Sequence, residues 1–195
     1  FLHRAFPTVK IGNQEWMTYN LNVDKFRNGD PIPEARTDEE WKKAGLNGNP
    51  AWCYYNNDPV NGKIYGKLYN WHVVNDPRGL SPKGWKIPTL EDWVVLTDYF
   101  SGWRVAGGRL KETGTTHWQS PNIGATNESG FSALPGGFRY SDGGFYDMGI
   151  YACFWSSTEY TSYSALYRTL YYNYTDVYRH FTNKNYGFSV RCVRD

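Results

Sequence analysis

The sequence has no long apolar segment and no strong excess of charge of either sign. Its mean hydropathy is −0.68, and it contains no run of about 18 apolar residues, so a membrane-spanning helix is excluded. The formal net charge is only +2, without a basic stripe, which argues against a nucleic-acid-binding protein. Aromatic residues nevertheless make up 18% of the chain, which excludes a disordered protein. We expect one domain over residues 1–195.

Cysteine is scarce as well. Cys53, Cys153 and Cys192 lie far apart and form no CxxC pair, so a zinc ribbon and a thioredoxin motif are excluded. Two arrangements remain open: one disulfide with one free thiol, or three buried thiols. We favour the arrangement without a disulfide.

Recognisable catalytic and metal-binding motifs are missing. The four histidines are scattered, without an HExxH pattern or an i,i+4 pair. Neither a GxSxG nucleophile motif nor a P-loop occurs. We therefore expect a protein that is not an enzyme and that carries no cofactor and no metal site.

Only two segments have clear helix signals. Thr37 begins a capping box, which predicts a short helix that ends before Gly45. Residues 90–100 form the second, because apolar side chains recur there at helical spacing. This apolar face consists of Leu90, Trp93, Leu96 and Phe100. The remainder is rich in turns, with 20 glycines and 10 prolines in the chain, so we predict the α+β class with two short helices, several short strands and long loops.

Tyrosine is concentrated near the C-terminus. Residues 151–186 hold nine of the 17 tyrosines, together with many Ser, Thr and Asn residues and a single lysine. This composition is typical of antibody-like binding loops, which combine rigid amphipathic rings with adaptable hydrogen-bonding groups. The alternative is that β-rich proteins simply favour tyrosine. Residues 188–193 then alternate as a strand does, which predicts that Phe188, Val190 and Cys192 face the core.

Eight motifs, in order along nearly the whole chain, resemble the Fibrobacter succinogenes major paralogous domain family. They are VKIGNQEWM (9–17), WCYYNN (52–57), YGKLYNW (65–71), GWKIPT (84–89), GGRLKE (107–112), GFSALPGG (130–137), FWSSTE (154–159) and GFSVRC (187–192). The resemblance implies a C-type-lectin-like fold with small antiparallel sheets and long irregular loops at a ligand-binding end. Family members resemble secreted or surface proteins of gut bacteria and their phages.

The chain departs from the family pattern mainly within residues 160–186, where bulky or charged residues replace Ser and Asn. Each substituted residue can be reached from an Asn codon by changing only its adenines, as expected of a variable protein of a diversity-generating retroelement. Ordinary drift is the alternative. The predicted ligand-binding residues are Tyr160, Ser162, Tyr163, Tyr172, Tyr174, Thr175, Asp176, Tyr178, His180, Phe181 and Tyr186. The flanking residues Leu170, Val177, Phe188 and Val190 would form a fixed scaffold.

Related activities fit the residues less well. The GWKIPT segment also looks like part of the domains of formylglycine-generating enzymes, which activate sulfatases. Those enzymes use a pair of cysteines near the C-terminus, whereas Cys153 and Cys192 are separated by 39 residues in the sequence. Ser120-Pro121-Asn122 lacks the first carboxylate or amide of a calcium-dependent sugar-binding motif. We expect Arg168 and Arg179 to form framework salt bridges.

The prediction is therefore a ligand- or receptor-binding domain with a Tyr-rich, diversified surface, and the loop of residues 143–151 as its rim. Its partner would be a protein or glycan on a cell surface, and its location the bacterial cell surface or a phage virion. An oligomer is compatible with this role, a trimer if the chain is part of a phage tail. The alternatives are an invariant carbohydrate-binding module and an adhesin or accessory module of a secreted or surface bacterial protein.

Overall fold

The computed structural model describes residues 6–195, which form a mixed α+β fold. The helices are α1 (Asp38–Leu46), α2 (Pro59–Tyr65), α3 (Trp71–Val74), α4 (Leu90–Tyr99) and α5 (Trp103–Leu110). The strands are β1 (Thr8–Ile11), β2 (Gln14–Met17), β3 (Trp52–Cys53), β4 (Leu68–Tyr69), β5 (Trp85–Lys86), β6 (Gly136–Arg139), β7 (Phe145–Met148), β8 (Tyr151–Glu159), β9 (Ser164–Tyr171), β10 (Val177–Asn183) and β11 (Val193–Arg194). The α+β prediction is thus confirmed.

The two predicted helices are present, and both begin with a capping box, although α1 continues through Gly45 to Leu46 instead of ending before Gly45. In α1 the Thr37 hydroxyl accepts a hydrogen bond from the Glu40 amide at 3.1 Å, and the Glu40 carboxylate accepts one from the Thr37 amide at 3.1 Å. In α4 the same exchange joins Thr89 and Asp92. Trp93 on the apolar face of α4 is fully buried, as its spacing predicts.

The expectation of only two helices is wrong, since residues 6–195 contain five. The three additional helices are only four to eight residues long, which gives little periodic signal. Helix α5 also contains Gly107 and Gly108, which disfavour a helix by propensity. Tertiary packing requires both glycines, because a Cβ atom at Gly107 would lie 2.4 Å from the Asp176 carbonyl oxygen, and one at Gly108 2.4 Å from that of Gly124.

Two sheets organise the fold. The first has the strand order β1-β2-β11-β5, so that both ends of the described chain meet in it. The second has the order β10-β9-β8-β6-β7 and is antiparallel, except that β6 pairs with β8 in parallel. Strands β3 and β4 form a small separate pair.

The faces of the second sheet follow from its register. Arg168 pairs with Arg179 and Leu170 with Val177, so these four side chains share the face that packs on α4 and α5. Tyr167 pairs with His180 and Thr169 with Tyr178 on the opposite face. Tyr151, Cys153 and Trp155 of β8 extend this second face.

The core is built largely from tryptophan. Trp16 and Trp93 lie with ring centroids 5.0 Å apart, and Phe131 and Phe154 complete the cluster under α4. Trp85 is also buried, at 3% exposure, in a second cluster. The predicted scaffold residues Leu170, Val177, Phe188 and Val190 are all buried.

Three buried cations hold loops through backbone carbonyl groups rather than through carboxylates alone. The Lys111 ammonium donates to the carbonyl oxygens of Ile123, Tyr171 and Tyr174 at 2.9–3.0 Å. Burial lowers the pKa of Lys111 to about 8, so the group is still mostly charged at neutral pH. Arg139 and Arg191 also donate to carbonyl oxygens, including those of Ala35 and Phe131.

The prediction of an alternating strand at residues 188–193 is wrong in part. Phe188, Val190 and Cys192 are buried as expected, but Ser189 and Arg191 are buried as well. The segment runs between other elements, bridging Tyr69 on one side and Phe154 on the other, so neither of its faces reaches water. Only Val193–Arg194 forms a strand, β11.

The three cysteines are free thiols, and all three are buried. Burial raises the pKa of each thiol to about 12, which keeps the thiols protonated and disfavours nucleophilic reactivity. None of the helices in residues 6–195 has the length and apolar character needed to cross a bilayer.

Candidate binding surface

All eleven predicted ligand-binding residues are exposed or half-buried. Among these eleven, the most exposed large side chains are those of Tyr163 at 80%, Phe181 at 58%, Tyr160 at 54% and Tyr174 at 48%. In β10 the side chain of Val177 is buried, those of Tyr178 and His180 are half-buried on the other face, and Phe181 is exposed on the same face as Val177. The segment can thus change its outer side chains without replacing core residues.

The predicted residues do not form one patch, because the structure divides them into three groups. The first group belongs to a continuous aromatic surface, which we call the tyrosine surface and define as Tyr167, Tyr171, Tyr174, Tyr178, His180 and Tyr186. Tyr171 contacts three of its members: its ring centroid lies 5.0 Å from Tyr178 and 5.9 Å from Tyr174, and its hydroxyl lies 3.3 Å from His180 Nε2. Tyr178 and His180 are stacked, with centroids 5.8 Å apart.

The second group lies at the turn between β8 and β9 and consists of Tyr160, Ser162, Tyr163 and Phe181. Tyr160 and Phe181 stack with centroids 4.3 Å apart, on the face of β10 opposite to the tyrosine surface. Lys184 fixes the turn by donating to the Ser162 carbonyl oxygen at 2.8 Å and to the Glu159 carboxylate. These side chains form a separate exposed patch.

The third group, Tyr172, Thr175 and Asp176, lies in the turn between β9 and β10, against α5. The Thr175 hydroxyl donates to the Arg104 carbonyl oxygen at 2.9 Å. Tyr172 packs partly against the core cluster of α4 and α5. All three residues are half-buried, so Tyr172 and Thr175 contact the framework as well as solvent.

Sequence reasoning missed part of the aromatic surface. Tyr140 lies 4.5 Å from Tyr186 between ring centroids, and Phe138 stacks on Tyr186 at 6.2 Å. Tyr146, 46% exposed, contacts both Phe138 and Tyr140. The β6–β7 hairpin therefore lies beside the tyrosine surface. The signal that was available is the pair of tyrosines on either side of the Asp142-Gly143-Gly144 turn.

The tyrosine surface is electrically neutral at physiological pH. Burial raises the pKa of Tyr171 and Tyr186 to about 12, so their hydroxyls remain hydrogen-bond donors. Burial, and secondarily the charge of Arg168, lowers the pKa of His180. The imidazole is therefore neutral at pH 7, and the surface offers aromatic rings and polar groups without net charge.

The expected framework salt bridges of Arg168 and Arg179 are absent. Neither arginine lies within 4.0 Å of a carboxylate of residues 6–195, although nine other ion pairs occur there. The expectation is wrong because the two arginines are cross-strand partners on the face that packs toward α4 and α5, where no acidic side chain pairs with them. The same residues contain no group of three or more His, Cys, Asp or Glu side chains that could hold a metal ion.

Comparison with known proteins gives one match. Residues 9–194 match the family model of the Fibrobacter succinogenes major domain. No curated protein and no solved structure matches the chain. The match covers all five helices and, except for Thr8 at the start of β1, all the strands described above. The chain therefore belongs to the Fibrobacter succinogenes major domain family.

Proposed function

We propose that this chain is a non-enzymatic binding domain, which recognises a protein or glycan on a cell surface through its tyrosine surface and the adjacent patch at Tyr160 and Phe181. The scaffold would be C-type-lectin-like. Its site of action would be outside the cell, on a bacterial surface or a phage virion. If it acts in a phage tail, trimeric display would raise the avidity of each contact.

One observation carries the proposal: within residues 160–186 the predicted variable residues all reach the surface, while the interleaved residues Leu170 and Val177 are buried. A surface that changes must not disturb the core, and this division satisfies that requirement. Large aromatic rings also suit the role, since a few Tyr or Trp side chains commonly dominate binding energy. Their neighbours restrict their rotamers, which reduces the entropy lost on binding.

The origin of the variation can be tested at the encoding locus. We expect a near-copy of the 3′ end of the gene that differs at adenines, followed by a reverse-transcriptase gene. The codons that differ should include those of Tyr174, Tyr178 and His180 and exclude that of Leu170. A locus without such a repeat would contradict diversification and leave a fixed binding surface.

Binding can be tested on the protein itself. The labelled domain is applied to a panel of bacterial cells and to a glycan array, beside the double variant Tyr174→Asn/Tyr178→Asn. We expect the native domain to bind at least one target and the double variant to lose this binding. The variant Tyr99→Asn is a matched control, because Tyr99 is 60% exposed on α4, outside the tyrosine surface. Equal loss in both variants would argue against this surface.

A second candidate function is an invariant carbohydrate-binding or adhesin module. It is supported by Phe138, Tyr140 and Tyr146, which continue the tyrosine surface beyond residues 160–186. Exposed aromatic rings are suitable platforms for sugar stacking. Here we expect the glycan array to give one target class, and Tyr140→Ala to weaken binding as much as Tyr178→Ala. An effect of Tyr178→Ala alone would argue against this candidate.

A further inference from the structure

A groove lies on the other face of the β9–β10 hairpin, where α4 and α5 meet the sheet. Its volume is about 410 Å³, and its walls include Val94 and Asp98 from α4, Trp103 from α5, and Arg168 and Arg179 from the strands. Of the surface that we assign to recognition, only Tyr178 borders this groove. The groove is therefore a separate feature of the molecule.

Arg168 is the unusual residue of the groove. It is only 5% exposed, yet its guanidinium forms no hydrogen bond and no ion pair with any residue in 6–195. The other two buried arginines do have acceptors: Arg139 donates to backbone carbonyl oxygens, and Arg191 donates to the Phe131 carbonyl oxygen and to Asn20 Oδ1. Within residues 6–195, the side-chain nitrogen and oxygen atoms that are fully shielded from solvent and lack a hydrogen-bond partner are Trp93 Nε1 and Asn122 Oδ1. The guanidinium of Arg168 is not among them, so it reaches the open space of the groove.

A second positive charge lies beside it. Arg179 is the register partner of Arg168 across the β9–β10 ladder, and like charges in directly opposite positions repel each other. Burial and the neighbouring Arg179 together lower the pKa of Arg168 to about 10. Asp98 lines the groove but pairs with neither arginine. An anion placed between the two guanidinium groups would relieve this repulsion and satisfy the buried donors.

The remaining walls suit a sugar ring. Trp103 is 45% exposed and presents an indole ring, while Val94 and Val177 provide apolar surface beneath it. Thr97 and Asp98 add a hydroxyl and a carboxylate that can exchange hydrogen bonds with sugar hydroxyl groups. The arginine pair recognises planar or tetrahedral oxyanions, and the indole recognises the ring that carries them.

We propose that this groove binds an acidic sugar residue, with its carboxylate or sulfate ester held by Arg168 and Arg179 and its ring against Trp103. This site is distinct from the tyrosine surface, and it does not depend on whether that surface is diversified. A carboxylate and a sulfate ester would be bound by the same arginine hydrogen bonds, so the test uses a separate probe for each.

The test uses glucuronate, glucose 6-sulfate and glucose as probes at constant ionic strength. Binding is followed by two-dimensional NMR of the ¹⁵N-labelled domain, in which the Trp103 indole and the Arg179 amide report on the groove. We expect millimolar glucuronate or glucose 6-sulfate to shift both signals, and the tighter of the two to identify the anionic group. Glucose should leave both signals unchanged. Equal shifts with glucose, or no shift with either acid, would overturn the proposal.

Three variants make the test specific. Arg179→Gln, at an exposed position, should weaken binding about tenfold, as expected when a charge-assisted hydrogen bond is lost. Arg36→Gln removes the same charge from a side chain that is 73% exposed elsewhere, and it should leave the affinity unchanged. Tyr174→Ala should also leave it unchanged, which separates this site from the tyrosine surface. Equal weakening by Arg36→Gln would mean that only net charge matters and would refute a built site.

Discussion

The two faces of the β9–β10 hairpin place their side chains in different surroundings. On one face Leu170 and Val177 pack against the core of α4 and α5 and are almost inaccessible to water. On the other face Tyr171, Tyr174 and Tyr178 contact one another, and Tyr174 remains 48% exposed. The comparison shows that large aromatic residues need not be core residues. Their neighbours decide whether the rings contribute to folding or remain available to a ligand.

The largest expected effect tests the core face. Trp93→Ala removes a fully buried indole packed on Trp16 and Phe154, and we expect the free energy of unfolding to fall by about 3–5 kcal/mol. Urea denaturation followed by circular dichroism measures it. Tyr99→Ala, on the solvent side of the same helix, is the control and should cost far less. Similar losses in the two variants would show that α4 does not cover the core.

A second experiment examines how Lys111 anchors the turn that joins β9 and β10. Lys111→Met leaves the carbonyl oxygens of Ile123, Tyr171 and Tyr174 without their donor, although it also removes the cost of burying a charge. We expect a net loss of about 1–3 kcal/mol and faster amide exchange in residues 172–176. Hydrogen exchange measured by NMR or mass spectrometry reports on that turn. Lys83→Met, at an exposed position, is the control, and unchanged exchange in Lys111→Met would contradict the role of the ammonium.

Substitutions in the tyrosine surface should change the free energy of unfolding only slightly. Tyr174→Ala and Tyr178→Ala should each change the free energy of unfolding by less than about 1 kcal/mol, because both rings keep contact with water. Tyr69→Ala is the matched control, since Tyr69 is fully buried and its loss should be severe. Melting curves of the three variants decide the point. A loss of several degrees in Tyr174→Ala or Tyr178→Ala would move these rings into the core.

The smallest effect concerns pH. His180 faces Tyr167, Tyr171 and Tyr178, and its pKa in the folded protein lies below the ordinary 6.5 because of burial and the charge of Arg168. The unfolded chain therefore binds a proton first as the pH falls. The stability due to the neutral imidazole is complete above pH 6.5 and is lost as the pH decreases toward the folded pKa. His180→Gln should flatten this part of the stability profile, and an unchanged pH dependence would exclude His180 as its source.

The sequence predicts those parts of the fold that depend on local patterns. The capping boxes at Thr37 and Thr89 locate two helices, and the spacing around Trp93 identifies its buried face. The prediction that Leu170 and Val177 belong to the buried scaffold is correct, although Thr169 beside Leu170 is buried as well. The eleven predicted ligand-binding residues are exposed or half-buried, although their codons say nothing about which of them are neighbours.

What the sequence does not reveal depends on contacts between distant segments. Helix α5 exists because Gly107 lies against the turn at Asp176, which its helix propensity cannot indicate. Ser189 is buried because its segment passes between other elements, and alternation cannot show that. Tyr140 joins the aromatic surface only because β6 places it beside Tyr186, 46 residues later in the sequence. Arg168 likewise has no carboxylate partner because the register of the sheet places Arg179, another cation, directly opposite it.

The attachment of Lys111 has a consequence for how this chain can evolve. Its ammonium contacts main-chain oxygen atoms, which every amino acid possesses, so the position of the turn after β9 is independent of the side chains it carries. Replacing Tyr172, Tyr174 or Asp176 therefore leaves the anchor in place. A single fixed lysine thus gives the turn a tolerance to mutation that a side-chain salt bridge at the same position would remove.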